Sequence, residues 1–310
     1  RDCDTAAGNL DLSKNGYAKI FELGINSPEV LFAVEFKSSV IDHAYDAYVR
    51  PSGDTKELGK QVYSGFVPTS ELVDSYEMAG DGGNFSWEKH GKDPYANREP
   101  RFYATILYNG ADWMGRKIES FVGGKDGYKA YENAGAAGTT VTGYYLRKYL
   151  IDGDKTWVTS GSGQDWIVLR YAEVLLNKAE ALAMENWNKN SAEALQALND
   201  VRARVGLPAR ATADKETFLE YVRHERKVEL AGEGFRYWDL RRWRLAEKVI
   251  DGQNVHGVKI SKQSDGSFTY EQVDADGGHK RIFYDRYYRF AIPLSERSNN
   301  SLCTNNDGWI

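Results

Sequence analysis

The sequence predicts a mainly α-helical fold in which helix pairs pack against a loop-rich part that carries many aromatic residues. Residues 165–250 repeat apolar side chains at the three- and four-residue spacing of amphipathic helices. Residues 1–164 instead combine Gly, Tyr, Asp and Ser with only short apolar runs. We therefore divide the chain into a loop-rich part (1–164), a helical part (165–250) and a C-terminal segment of loop and short strand (251–310) that completes the same fold.

The loop-rich part contains two short segments with recognisable periodicity. The run "EVLFAVEF" (29–36) is apolar and predicts a buried strand or a short helix. The run "FVPTSELVDSYEM" (66–78) predicts a short helix that begins at a hydroxyl cap, either Thr69 or Ser70. Tyr76 then lies on its inward face.

Two long loops occupy much of the remaining loop-rich part, residues 79–102 and 109–140. Loops of this length are usually functional or disordered. Several large aromatic residues in them argue against disorder: Trp87, Tyr95, Trp113, Tyr128 and Tyr131. We therefore expect these loops to be ordered and to carry the function.

Four helices are predicted in the helical part. The first covers 165–186, and the second begins at a Ser191 cap and ends at Gly206. The third covers 214–234 and the fourth 235–250. Short connections make these two antiparallel pairs, the local pattern of a helical repeat array.

The C-terminal segment returns to loop and short strand. The runs 268–273 and 281–293 alternate enough to predict that they pair as a hairpin. The polar tail carries Cys303, and the only other cysteine is Cys3. A disulfide between these two residues is possible, but two cysteines do not fix the compartment.

The stretch "GEGFRYWDLRRW" (232–243) places many charges between aromatic rings where the third and fourth helices meet. Its charged residues and those facing it on the third helix are Glu225, Arg226, Glu229, Arg236, Asp239, Arg241 and Arg242. Arginine forks bind carboxylates in pairs, so we expect a shielded ion-pair network that holds the helix hairpin together. The alternative is an active site of carboxylates and arginines.

Charge and composition exclude several classes of function. The net charge is −5, and no long basic run suggests nucleic acid as a partner. No apolar run approaches the roughly 18 residues of a membrane span. The five histidines lack zinc spacing, so no metal or cofactor is indicated. "SGSGQ" (160–164) is not the GxSxG elbow of a serine hydrolase.

Five blocks resemble, in order and spacing, the signatures of the SusD/RagB family. They are "VPTSELVDSYEM" (67–78), "DPYANREPRFYATILYNGADW" (93–113), "RYAEVLLNKAEAL" (170–182), "ERKVELAGEGFRYWDLRRW" (225–243) and "IPLSERSNNSLCTNNDGW" (292–309). Together they extend over nearly the whole chain. Departures are small: Glu99 stands where the family more often has Asp, and the tail lacks the usual Pro.

The resemblance implies a surface glycan-binding lipoprotein of Bacteroidetes-type bacteria, held at the cell outer membrane. Such proteins are not enzymes, and their fold combines tetratricopeptide-like helix pairs with a loop-rich part. They capture oligosaccharides and deliver them to a SusC-like TonB-dependent transporter. Family members are much longer, so we expect a missing N-terminal half that carries the lipid anchor. A helical-repeat adaptor that binds protein and no sugar is the alternative.

We expect the glycan site in the long loops, with Trp87 and Trp113 as stacking anchors. An indole is a rigid plane that suits the apolar C–H face of a pyranose. The other expected contacts are Tyr95, Tyr108, Asn84, Asn109 and Arg116. Either tryptophan could instead only pin its own loop to the surface. No catalytic residue is predicted.

Overall fold

The structure is a computed structural model that describes residues 16–133 and 139–309. Its α-helices are α1 Gly16–Leu23, α2 Tyr45–Val49, α3 Asp54–Leu58, α4 Ser70–Val73, α5 Trp87–His90, α6 Pro100–Thr105, α7 Thr156–Ser160, α8 Tyr171–Ala203, α9 Lys215–Glu229, α10 Phe235–Arg242, α11 Ala246–Ile250 and α12 Leu294–Asn299. Its strands are β1 Val30–Val34, β2 Ile106–Leu107, β3 Asp112–Trp113, β4 Arg116–Lys117, β5 Tyr145–Leu146, β6 Trp166–Arg170, β7 His256–Lys262 and β8 Phe268–Asp274. Short 3-10 helices are Gly24–Asn26, Tyr131–Asn133 and Asp285–Tyr288. The mainly helical prediction is confirmed.

The longest helix, α8, consists of two arms separated by a kink at Asn186, whose backbone is extended at φ −161°. The Asn186 side-chain oxygen accepts a hydrogen bond from the Lys189 amide at 3.2 Å. Asn186 therefore caps the second arm, and the predicted cap at Ser191 is wrong. Asn and Ser cap about equally well, so the local sequence did not distinguish the two positions.

Helix α9 packs against α8 and follows the prediction closely. Asp214 caps it by accepting from the Thr217 amide at 2.8 Å. The apolar side chains that the two helices bury together are Ala172, Leu175, Leu176, Ala179, Ala183, Ala194, Ala197, Leu198, Val201, Phe218, Leu219 and Val222. The predicted fourth helix is broken, because the chain turns at Arg244 with φ +56° and begins again as α11.

Residues 166–170 form strand β6, so the prediction of helix from residue 165 is wrong. Strand β6 pairs antiparallel with β1, with Val30 opposite Arg170 and Val34 opposite Trp166. The apolar run 29–36 is therefore a strand, and it joins the loop-rich part to the helical part. It is only half buried, because Phe32 and Val34 are exposed.

Strands β7 and β8 form a hairpin through a turn at residues 263–267, where Gly266 has φ +86°. The prediction that residues 268–273 pair with residues 281–293 is therefore wrong. That segment is loop and 3-10 helix. The Asp265–Gly266 dipeptide is a strong local hairpin signal and selects the nearer partner.

Side chains of β7 belong to an aromatic cluster beneath the long loops. Val258 and Ile260 of β7 pack there with residues from α4, α6 and α9. The buried members are Val73, Tyr76, Tyr95, Phe102, Ile106, Tyr144, Val228, Val258 and Ile260. Helix α4 begins after Thr69, as predicted, but the Thr69 hydroxyl makes no cap hydrogen bond and the helix ends at Val73. Tyr76 is buried as predicted, although it lies beyond the helix.

The predicted ion-pair network exists but reaches far beyond the helix hairpin. Arg226 pairs with Asp239 at 2.8 Å, which links α9 to α10 as expected. Glu229 instead pairs with arginines outside the hairpin, including Arg170 at 2.6 Å and Arg101 at 3.0 Å. The buried charged residues connected in this network are Glu29, Glu77, Glu99, Arg101, Lys148, Arg170, Arg202, Arg204, Glu225, Glu229 and Glu233. The network thus holds loop, strand and helix together.

None of the described helices has both the length and the apolar composition needed to cross a bilayer. Within the same residues, no group of three or more His, Cys, Asp or Glu side chains is placed to hold a metal ion. Cys3 lies outside the described residues, so the possible disulfide with Cys303 remains a prediction.

Candidate functional site

Trp87, the first predicted stacking anchor, opens helix α5 and is half-buried. Its indole N–H donates to Asp74 at 2.9 Å, and its ring contacts Phe85 and Tyr270. Burial raises the pKa of Asp74 to about 6, and the Trp87 hydrogen bond offsets part of that shift. Trp87 therefore packs on the loop core while part of its surface faces solvent.

Tyr95 and Tyr108 belong to the aromatic cluster, with ring centroids 4.6 Å apart. Tyr95 is buried, whereas Tyr108 is half-buried, and burial raises the pKa of Tyr108 to about 12. Asn84 is exposed, but Asn109 is buried. In this geometry Tyr95 and Asn109 support the loops from within.

Trp113 requires a correction, because its ring is 0% exposed and has no face free for a sugar. Its indole N–H donates to Asp54 at 3.0 Å. Arg116 pairs with the same Asp54 at 2.8 Å and with Asp126 at 2.6 Å. Trp113 and Arg116 thus anchor β3 and β4 to α3, and the predicted residues do not converge on one exposed surface.

Exposed aromatic rings lie together elsewhere, on α2 and the segment that follows α3. Tyr48 and Tyr63 are each 45% exposed and stack with centroids 5.2 Å apart at an interplanar angle of 26°. Phe66 is 64% exposed and lies 6.4 Å from Tyr48. We call Tyr48, Tyr63 and Phe66 the aromatic face.

Backbone hydrogen bonds fix the aromatic face. The Tyr63 amide donates to Ala47 at 2.7 Å, and the Gly65 amide donates to Tyr48 at 2.7 Å. Ser64 between them has φ +47°, and its hydroxyl donates to the Arg50 carbonyl at 2.9 Å. The backbone that carries the rings is therefore held in one conformation and loses little backbone entropy when a ligand binds.

An apolar cleft of about 350 Å³ continues from the aromatic face. It is lined by Phe36, His43, Ala44, Tyr45, Tyr48, Phe66 and Trp166. The His43 Nε2 atom lies 2.9 Å from the Gln164 carbonyl, and Nδ1 accepts from the Tyr45 amide. These contacts fit the tautomer in which Nε2 carries the hydrogen and donates to the Gln164 carbonyl.

Phe36 also lines a polar pocket of about 550 Å³, so the apolar cleft and the polar pocket share this residue. Polar side chains around this second pocket are Glu22, Asn26, Lys37, Ser38, Asp154, Thr156, Gln164 and Asp165. Asp165 accepts from the Ile25 and Phe36 amides at 2.9 and 3.3 Å, which holds the wall in place. The arrangement offers flat apolar rings beside hydrogen-bonding groups.

Sequence reasoning missed this surface because no long loop or repeated motif marks it. One weak sequence signal lies in residues 62–66, where the aromatic residues Tyr63 and Phe66 stand beside small residues and not in an apolar run. In the structure both rings are exposed, while Val62 and Ser64 are buried. An alternation that turns aromatic rings outward is unusual for a plain core segment.

Comparison with known proteins gives a match between residues 28–309 and the profile of the SusD family. This chain belongs to the SusD family. A SusD-like protein P38 from Formosa agariphila is 32% identical over 133 residues, which are 40% of this chain and 25% of that protein. Membership confirms the resemblance carried by the five sequence blocks.

Two solved structures from Bacteroides fragilis share the SusD-like fold. A SusD-like protein has a TM-score of 0.75 at 26% identity and covers 97% of this chain and 58% of its own. A SusD-like carbohydrate binding protein has a TM-score of 0.71 at 25% identity and covers 93% of this chain and 60% of its own. This SusD family chain thus spans about three fifths of the length of those relatives.

Proposed function

We propose that this chain is part of a surface protein that binds an oligosaccharide, with the aromatic face as its main contact. The main observation in support is that the exposed, stacked rings of Tyr48 and Tyr63 lie beside an apolar cleft that shares Phe36 with a polar pocket. A pyranose presents an apolar C–H face for the rings and hydroxyl groups for the polar side chains. Because hydrogen bonds already hold the backbone that carries the rings, little backbone entropy opposes binding.

Membership in the SusD family supports this proposal, since one similar solved structure is a carbohydrate binding protein. We infer that the protein does not modify its ligand but delivers it to a SusC-like TonB-dependent transporter at the outer membrane. Trp87, Tyr108 and Asn84 stay predicted additional contacts, because each keeps some exposed surface.

Part of the surface suits contact with a further segment of a longer protein. The C-terminal segment exposes Ile282, Phe290, Leu294 and Leu302, the last at 89%. These four apolar side chains lie within one segment of 21 residues, which makes that segment a candidate for contact with another part of a longer protein. Because the solved relatives are longer, we propose that a segment corresponding to the part of them that this chain does not match covers these side chains.

A glycan array probed with the full-length protein tests the function. Saturable binding to a restricted set of oligosaccharides is expected. A variant with Tyr48→Ala and Phe66→Ala should lose that signal, whereas Tyr131→Ala should keep it. Tyr131 is a fair control because it is 48% exposed and lies outside the aromatic face.

The adaptor alternative predicts a different outcome. A protein–protein adaptor would give no saturable signal on any glycan. It would still bind the transporter in co-purification. That pair of results would overturn the glycan proposal, and loss of transporter binding alone would overturn only the delivery step.

A further inference from the structure

A small pocket between α9, α10 and α11 is lined by an unusual concentration of positive charge. Its volume is about 200 Å³, below the usual range for drug-sized ligands, so it suits one small group. We call it the basic pocket and define it by Arg223, Lys227, Arg236 and Lys248. None of the residues that line the basic pocket belongs to the aromatic face or lines the apolar cleft beside it.

Negative charge within the basic pocket is scarce. Among the described residues that line it, Glu220 is the one carboxylate; its side chain is 68% exposed and is already paired with Arg223 at 2.6 Å. Asp239 lies near Arg236, but its two oxygens accept from Arg226 and Arg242. The pocket therefore has an excess of cations that its own residues do not neutralise.

Arg236 is the clearest case. It is half-buried, yet it makes no hydrogen bond or ion pair with any residue in 16–133 or 139–309. Burial lowers its pKa, whereas carboxylate partners raise the pKa of Arg101 and Arg170 in the buried network. Burial and the Arg236 charge also lower the pKa of Lys227 to about 8. A half-buried cation that has a nearby carboxylate but no hydrogen bond or ion pair of its own costs free energy that a bound anion would recover.

The remaining wall of the basic pocket is mostly apolar, and His224 is the further polar side chain among the described residues that line it. Trp243, Leu240 and Leu245 line it, and the Trp243 indole N–H donates to Glu180 at 2.7 Å. That bond fixes the ring, and the Arg242 guanidinium lies over it, 4.6 Å from the ring centroid. Apolar side chains next to positive charge suit a sugar ring with an anionic substituent, because its C–H groups can pack on Leu240 and Leu245 while its oxyanion meets the cations.

We propose that the basic pocket binds the oxyanion of an acidic saccharide, a carboxylate or a sulfate ester, through Arg236 and Lys227. This inference rests on the proposed function, because it names an acidic sugar as one component of the ligand. Guanidinium and ammonium groups are the side chains that bind such oxyanions most strongly.

The test is a titration of the full-length protein with glucuronate and glucose 6-sulfate, and with glucose as the uncharged control. Both acids should bind and glucose should not. Arg236→Gln and Lys227→Gln should each weaken the acids at least tenfold, while Arg281→Gln, at an exposed arginine outside the pocket, should leave binding unchanged. The melting temperature of Arg236→Gln without ligand should stay the same or rise, since a like-charge contact with Lys227 is removed.

Three outcomes overturn the inference. These are equal binding of glucose, wild-type affinity in both pocket variants, and tighter binding of poly-glutamate than of either acid. The last result would assign the pocket to an acidic protein segment. A neutral oligosaccharide from the array is titrated in parallel, because its retained binding would show that the proposed function stands even where the acidic site fails.

Discussion

Replacing Glu229 by glutamine tests whether the buried charge network determines the stability of the fold. Glu229 is 0% exposed and accepts hydrogen bonds from three arginines: Arg101 at 3.0 Å, Arg170 at 2.6 Å, and Arg204. Glutamine keeps the shape of the side chain but removes the charge, which leaves the cations only partly neutralised. Three charge-assisted hydrogen bonds at about 1.5 kcal/mol each give a loss of about 4.5 kcal/mol, within the range of about 3–5 kcal/mol for a broken buried pair.

The assay is urea denaturation of wild type, Glu229→Gln and the control Glu220→Gln. Glu220 lies on the same helix α9 and pairs with Arg223 at 2.6 Å, but its side chain is 68% exposed. Exposed pairs contribute about 0–1 kcal/mol, so the control should change little. Equal effects of the two substitutions would refute the reasoning.

The pH dependence provides a second readout for Glu229. Its pKa is lowered well below the usual range, although burial opposes this, because Arg204, Arg170 and Arg101 stabilise the carboxylate. The stabilisation is therefore present above the unfolded pKa of about 4.3 and is lost as pH falls through the folded value. The stability gap between wild type and Glu229→Gln should narrow in acid.

Two further predictions concern Asp74 and the exposed C-terminal segment. Burial raises the pKa of Asp74 to about 6, so its unfavourable contribution is absent below about pH 4 and grows as pH rises through about 6. Asp74→Asn should therefore stabilise the protein at pH 8 by up to about 3 kcal/mol, and by little at pH 4, in paired thermal melts; an equal gain at both pH values would contradict this. Residues 1–310 expressed alone should bind a hydrophobic dye. The dye signal should fall when the N-terminal segment is supplied, and also when Leu302→Ser and Leu294→Ser remove exposed apolar side chains. A monodisperse chain that binds no dye would contradict the proposal that another segment covers these side chains.

Sequence reasoning succeeded where the determining contacts are local. The apolar spacing of α9 and its Asp214 cap lie within a few residues of each other, so the helix could be predicted from its own stretch. The family blocks are likewise continuous runs. The same reasoning gave the wrong prediction for strand β6. Its five residues run directly into an apolar helix, and its partner β1 lies far away in sequence, so nothing local marks it as a strand.

Long-range pairing accounts for most of what the sequence could not predict. Arg204 binds Glu29 across 175 positions, and no local pattern marks that pair. The aromatic face is a similar case: Tyr48 and Tyr63 meet only because backbone hydrogen bonds tie their two segments together. Trp113 lay in a polar loop and was predicted to be exposed, but Asp54 and the surrounding apolar side chains bury it.

The central claim is that oligosaccharide binds at the aromatic face, and calorimetric titration tests it most directly. The ligand is the oligosaccharide selected on the array, and the proteins are full-length wild type, Tyr48→Ala with Phe66→Ala, and Tyr131→Ala. We predict that the double variant binds at least about thirtyfold more weakly, the scale of an interface hot spot of about 2 kcal/mol, while Tyr131→Ala binds as wild type. Wild-type affinity in a correctly folded double variant would contradict the account.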